Sequence, residues 1–308
     1  MATATVTADR DVIDRALEQV TAYAQVLRPE DVDEPILAPT VSHAVHEWLV
    51  EIYHASDLAA VGVAPRRLAL LYGPPGTGKT TLAHHLAARL GLPLVAVQSE
   101  RLVGMYLGET SNNMGRLFDL LAPIERHCVL LLDEFDAIGQ KRVTAAGRGG
   151  ATQERNQAVT VLLRRIEQFR GFGLAATNTK DSLDAAMWRR FGLQISVDLP
   201  GEDERFAIIR KYAAPFDLPD DAIDILVRAT RGCSPSLLRQ LMEGMKRTLI
   251  LAPRFSSAAA VAPEAVFGRV IASIAPPPEM DQPPLWTDRE RSLRAIAAIA
   301  WPPARLDQ

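Results

Sequence analysis

Eight consecutive residues, Gly73-Pro74-Pro75-Gly76-Thr77-Gly78-Lys79-Thr80, have the types and order needed to hold a chain of phosphates. Glycines at 73, 76 and 78 let the backbone fold tightly, so that successive N–H groups face one anion. The Lys79 ammonium can span the β- and γ-phosphates of a nucleoside triphosphate, and the Thr80 hydroxyl can ligate magnesium. Thr81 follows directly and is counted with the phosphate-binding residues. A second group, Asp133-Glu134, ends the apolar run Val129–Leu132. An aspartate at the C-terminal end of a buried strand is placed to hold magnesium through water. The next carboxylate can polarise an attacking water as general base. Together the two groups imply hydrolysis of magnesium-bound ATP. Each has a plainer reading alone, a glycine-rich turn with a stray lysine and a solvated acidic turn. Asp136 extends the acidic cluster and is assigned no chemistry.

Such residues work only if a frame positions them. A strand (Leu68–Tyr72) feeds the glycine-rich loop and a helical stretch (79–90) leads out, so the helix N-terminus adds its partial positive charge. Further apolar runs at Leu94–Gln98, Val129–Leu132, Leu174–Thr177 and Leu193–Val197 are near-continuous rather than alternating, as strands covered on both faces should be. Helical stretches at 110–121, 154–169 and 182–189 separate them, which predicts a parallel α/β sheet flanked by helices. After Pro200-Gly201 the strands are expected to stop. Helices over 203–213, 219–230, 235–250 and 263–273 predict a small all-helical lid domain. Residues 9–28 read as an amphipathic helix with Val12, Ala16, Val20 and Ala24 at a helical repeat, then a proline-punctuated linker and a helix over 41–55. The expected organisation is an N-terminal helix and linker (1–37), an α/β domain (38–200), the lid (201–275) and a Pro/Ala-rich tail (276–308) with a short helix in 288–300.

The chain has 308 residues, and 48% of them are hydrophobic, so a sizeable core can be buried. A formal net charge of −3 argues against a body built to wrap nucleic acid. The two cysteines, Cys128 and Cys233, stand in no metal-ligand spacing and are not expected to pair; Cys128 opens an apolar run and reads as a core residue. The N-terminus lacks a basic segment followed by an apolar stretch, and no run approaches the length of a membrane span, so a soluble cytoplasmic protein is expected.

Beyond the phosphate loop, GPPGTGKT is followed in order by YLGET with RLF, LLLDEFDAI, AATN and LDAAMWRRF. In that order and spacing the chain resembles the AAA+ ATPases, specifically the protein-remodelling AAA subgroup, from about Pro39 to Ile250. The resemblance implies that Asn178 is the sensor that sits between the γ-phosphate and the attacking water. Arg189 and Arg190 match arginine fingers supplied to the neighbouring subunit's ATP, which makes a hexameric ring the expected working unit. Met105-Tyr106-Leu107-Gly108 matches a pore loop, with Tyr106 and Leu107 gripping an extended polypeptide. The glycine-rich stretch 142–155 matches a second pore loop or is a simple flexible loop. Without the resemblance, these residues read as an Asx turn, a basic turn and core side chains.

The departures are specific. In Gly232-Cys-Ser-Pro-Ser236, Pro235 replaces a glycine of the subgroup's pattern, and proline is tolerated at a helix's first position. No arginine opens that helix, and Arg239, a turn later, reads as a surface residue. No HExxH motif follows, so proteolysis would come from a separate chain. The resemblance therefore implies a ring-shaped protein unfoldase or remodelase. The alternative is a nucleotide-dependent assembly switch that regulates a partner enzyme, such as the separately encoded subtilisin-like protease associated with similar stand-alone bacterial ATPases. A DNA-associated loader fits less well.

Overall fold

A computed structural model describes residues 12–102, 108–137, 150–255, 262–278 and 280–305. They form two compact units. The first holds the described residues of 1–35, 40–74 and 79–197; the second holds 36–39, 75–78 and those from 198 onward.

The first unit is built on a six-stranded sheet. Its chain order is α1 (12–20), β1 (Ala24–Leu27), α2 (Pro39–Tyr53), α3 (Ala55–Ala60), β2 (Leu68–Tyr72), α4 (Lys79–Arg89), β3 (Leu94–Gln98), α5 (Ser99–Leu102), α6 (Glu109–Leu121), β4 (Val129–Asp133), α7 (Gly150–Gln168), β5 (Phe172–Thr177), α8 (Ala185–Trp188) and β6 (Leu193–Ser196). The strand order is β1-β3-β4-β5-β2-β6, and every pairing except β1·β3 is parallel. The apolar runs thus became strands where continuous hydrophobicity placed them. Leu70, Val95, Leu130 and Ala175 are buried in one core. Trp48 of α2, 1% exposed, donates from Nε1 to the Arg66 carbonyl at 2.7 Å and so fastens that helix to the entry of β2.

The N-terminal segment departs from the expected helix. It stops being helical after residue 20, closes through a bond from the Tyr23 N–H to the Val20 carbonyl (2.9 Å), and continues as β1. That strand runs antiparallel to β3, with Ala24 opposite Val97 and Leu27 opposite Leu94, so the sheet is mixed rather than wholly parallel. The reason is tertiary: β3 would otherwise present a row of unpaired backbone groups, and pairing with it outweighs local helical periodicity. Ala16, Val20 and Ala24 are buried in the sheet's core, whereas Val12 is exposed. His84 of α4 donates from Nε2 to the Arg28 carbonyl at 2.7 Å, anchoring the chain just beyond β1.

In the second unit, α9 (Glu202–Ala213), α10 (Asp220–Ala229), α11 (Pro235–Phe255), α12 (Pro263–Ser273), α13 (Pro284–Thr287) and α14 (Arg289–Ile296) enclose a separate core that includes Ile209, Leu226, Leu238, Met245 and Phe267. Strands do not stop at Pro200: β7 (Phe216–Asp217) and β8 (Ala304–Arg305) make a short antiparallel pair. Two-residue strands leave no hydrophobic periodicity to read.

Candidate active site

β2 delivers the chain to the phosphate loop at a point where only glycine fits. A Cβ on Gly73 would lie 2.2 Å from the Val197 carbonyl oxygen. The Gly73 N–H donates to the Thr177 carbonyl at 3.3 Å, which ties the loop's first residue to the end of β5. Gly76 and Gly78 take φ values of 74° and 91°, the left-handed region that lets a phosphate loop curl. Residues 75–78 group with the helical unit, where the Ser236 N–H donates to the Gly76 carbonyl at 3.2 Å. Thr77 is buried.

Lys79 opens α4 and is bent back on its own loop. Its Nζ donates to the carbonyls of Gly73 (2.9 Å) and Pro74 (2.8 Å). Burial holds its ammonium below the usual lysine range, while the Asp133 and Asp136 carboxylates pull in the opposite direction. The next side chain, Thr80, donates from Oγ1 to Asp133 Oδ2 at 2.8 Å. Thr81 is half-buried beside it. The Thr80 hydroxyl and the Asp133 carboxylate therefore meet, although 53 positions separate them in the chain.

Those two oxygens suit magnesium, a hard cation that binds through one or two carboxylates, keeps several waters and takes substrate phosphates. No group of three or more His, Cys, Asp or Glu that could hold a metal occurs among the described residues. A cation here would thus need phosphate oxygens and water to complete its shell.

Glu134 is exposed, and its φ is 50°, the one positive value of a non-glycine among the described residues. A left-handed glutamate costs on the order of 1 kcal/mol or more. Two local contacts hold the turn. The Glu134 N–H donates to Asp133 Oδ1 at 3.0 Å, and the buried Ser99 Oγ lies 2.8 Å from the Asp133 carbonyl and 2.9 Å from that of Glu134. Ser99 escaped the sequence reading because a serine after a strand carries no signal of its own.

Asn178 follows β5 directly and is exposed. The threonines on either side of it bond to Asp136, the acidic residue to which no chemistry had been assigned.

The paired arginines stand at the other end of the sheet. β2 and β6 run parallel, Ala69 opposite Leu193 and Tyr72 opposite Ser196, and the phosphate loop leaves the far end of β2. Arg190 instead precedes β6 and borders a recess with Pro65, Arg67 and Leu68, where β2 begins. Its guanidinium is paired with Glu167 of α7. Arg189 is exposed; its backbone N–H donates to the Ala185 carbonyl at 3.3 Å, and its side chain makes no hydrogen bond or ion pair with the described residues. α8, which leads to both, is capped by Asp184, whose carboxylate accepts the Ala186 N–H at 2.8 Å. Tyr106 and Leu107 lie outside the described residues, as does 142–149 of the second candidate pore loop; its remainder opens α7. In the helical unit Pro235 is the first residue of α11, and Arg239 is exposed and paired with Glu243 at 2.8 Å.

The family model for the ATPase family associated with various cellular activities (AAA) matches residues 69–199. The chain is 35% identical over 196 residues to the ATP-dependent zinc metalloprotease FtsH of Synechococcus sp. (strain JA-2-3B'a(2-13)), covering 61% of this chain and 30% of that protein. It is 38% identical over 186 residues to "Uncharacterized AAA family ATPase y4kL" of Sinorhizobium fredii, covering 59% and 54%. Against the chloroplastic ATP-dependent zinc metalloprotease FTSH 2 of Arabidopsis thaliana the values are 36% over 190 residues, 59% and 27%. The chain thus spans about half or less of the length of these relatives. No helix among the described residues is long and apolar enough to cross a membrane.

Proposed function

We propose, from the match of residues 69–199 to the AAA ATPase family model, that the chain hydrolyses magnesium-bound ATP and uses the energy, as a ring of like subunits, to remodel protein substrates. The contact between Thr80 and Asp133 carries the ATPase reading, because it brings two magnesium-ligand types together beside a candidate base. On ATP binding, Lys79 exchanges the carbonyls of Gly73 and Pro74 for phosphate oxygens. Magnesium, when bound, supplies positive charge to the β- and γ-phosphate oxygens. Glu134 takes a proton from the water that attacks the γ-phosphorus, the bond to the bridging oxygen of ADP breaks, and Asn178 orients that water.

The arginine end supports assembly. Three strand steps of roughly 3.3 Å each separate the first and last positions of β2 paired with β6, so a subunit's own Arg189 and Arg190 lie at the opposite end of β2 from its own glycine-rich loop. Arginines so placed serve a neighbour's γ-phosphate instead, which requires like subunits in a closed ring, a hexamer in this reading. The resemblance adds Tyr106 and Leu107 as the residues that grip polypeptide.

The first test is ATP turnover by the wild-type chain and by Glu134→Gln. The variant should bind ATP and assemble but turn over at least about a hundredfold more slowly; normal turnover would remove Glu134 as the base. The remodelling arm is tested by Tyr106→Ala, which should keep ATPase activity and lose ATP-dependent unfolding or partner activation. Activation of a partner by non-hydrolysable ATP alone would replace threading with an assembly switch.

A further inference from the structure

Asp136 lies on the short 3-10 turn Phe135–Ala137, directly after the candidate base. Its two carboxylate oxygens are divided between two hydroxyls from the neighbouring strand's end. Oδ1 accepts from Thr177 Oγ1 at 3.0 Å, and Oδ2 accepts from Thr179 Oγ1 at 3.4 Å. Those threonines flank Asn178. The turn around it is closed again by the Thr179 N–H, which donates to Thr177 Oγ1 at 3.2 Å. Thr177 is 1% exposed, and its carbonyl accepts the Gly73 N–H. One carboxylate thus grips both shoulders of the Asn178 turn, and the same threonine fastens that turn to the first residue of the phosphate loop.

A general account of an acidic residue here, solvation of a strand end, does not explain this arrangement. A solvated carboxylate would face water, whereas Asp136 is half-buried and spends both oxygens on two particular hydroxyls. Hydrogen bonds to an ionised acceptor are stronger than neutral ones, and the Thr177 hydroxyl makes the closer of the two. A residue that orients an attacking water must be held within a fraction of an ångström of its working geometry. Asn178 has an exposed side chain at the apex of a turn, so its precision must come from the backbone beneath it.

We propose that Asp136 is a positioning residue for hydrolysis. Through Thr177 and Thr179 it fixes the turn that presents Asn178 to the γ-phosphate and the attacking water. The inference rests on the ATPase reading above and deepens it: beside its electrostatic pull on Lys79, Asp136 acts on hydrolysis through Asn178. The consequence is non-additivity. Once Asn178 is gone, Asp136 has nothing left to position.

The test is a double-mutant cycle on steady-state ATP hydrolysis. Asp136→Ala should lower kcat by about tenfold or more, the scale of losing hydrogen bonds to a charged acceptor, and leave KM for ATP within about twofold. Asn178→Ala should lower kcat by a similar or larger factor, and the double variant should be no slower than Asn178→Ala alone. Thr179→Val, at an exposed position, should give a smaller loss of about threefold that also vanishes in the Asn178→Ala background. It carries the test if Asp136→Ala fails to fold. Losses that multiply across the two backgrounds, or an unchanged kcat in Asp136→Ala, overturn the inference and leave the ATPase reading standing. A wild-type chain that hydrolyses no ATP overturns both.

Discussion

The two ends of the first unit's mixed sheet differ in how complete they are. At the C-terminal ends of β2, β4 and β5, Lys79 is bonded to Gly73, Thr80 to Asp133, and Thr177 to both Asp136 and Gly73. At the opposite end, the Arg190 side chain is held by Glu167 and the exposed Arg189 side chain bonds none of the described residues. Dense bonding at the first end preorganises a site for charge, and preorganisation is the main source of electrostatic catalysis. A guanidinium paired to one exposed carboxylate is weakly held, because such pairs are worth at most about 1 kcal/mol. It can therefore be given up for a phosphate. Under the proposed function, binding would fall to the chain itself and completion of the site to another copy.

The largest effect should come from breaking that division. Arg190→Ala is expected to lower ATP turnover by about a thousandfold, the scale of an arginine finger. Mixing it with Glu134→Gln subunits should restore part of the activity, because an intact phosphate end then meets an intact arginine end. No recovery on mixing, with both variants assembled, would mean that the two ends do not serve each other across subunits. A middle-sized effect concerns the bonded end alone. Ser99→Ala removes the hydroxyl that steadies the left-handed Glu134 turn. It should cost about 1 kcal/mol of stability and about tenfold in kcat, with ATP affinity kept; an unchanged kcat would show that the turn holds without it. The smallest effect is close to none. Cys128 precedes β4 at the arginine end of the sheet, and burial pushes its thiol up to about 12. Cys233, in the helical unit, is likewise pushed up to about 12 by burial. Neither thiol should react with an aromatic disulfide reagent in the native chain at neutral pH. Faster labelling of Cys128 in Arg190→Ala would show that β4 shifts when the arginine end is altered.

Most of this frame could be read from the residues. The five runs from Leu68 to Val197 became five strands because residues covered on both faces have little choice but to be apolar, and the loop at Gly73 carries a motif whose spacing suits phosphates. What could not be read depends on partners distant in sequence. Ala24–Leu27 has helical phasing and turns into a strand only because β3 waits some seventy residues later. Ser99 and Asp136 are ordinary polar residues until folding sets them against Glu134 and Thr177. The same is true of Glu167, an unremarked helix residue until Arg190 meets it.

The strand at Ala24–Leu27 also bears on how the chain comes into being. It leaves the ribosome long before Leu94–Gln98, so it must wait without its partner while the intervening helices form. A chain shortened past Leu27 keeps every residue proposed for catalysis, yet bares the apolar stretch Leu94–Val97 of β3 along an open sheet edge. Its failure would be one of solubility, seen as self-association during synthesis, before any chemistry could be measured.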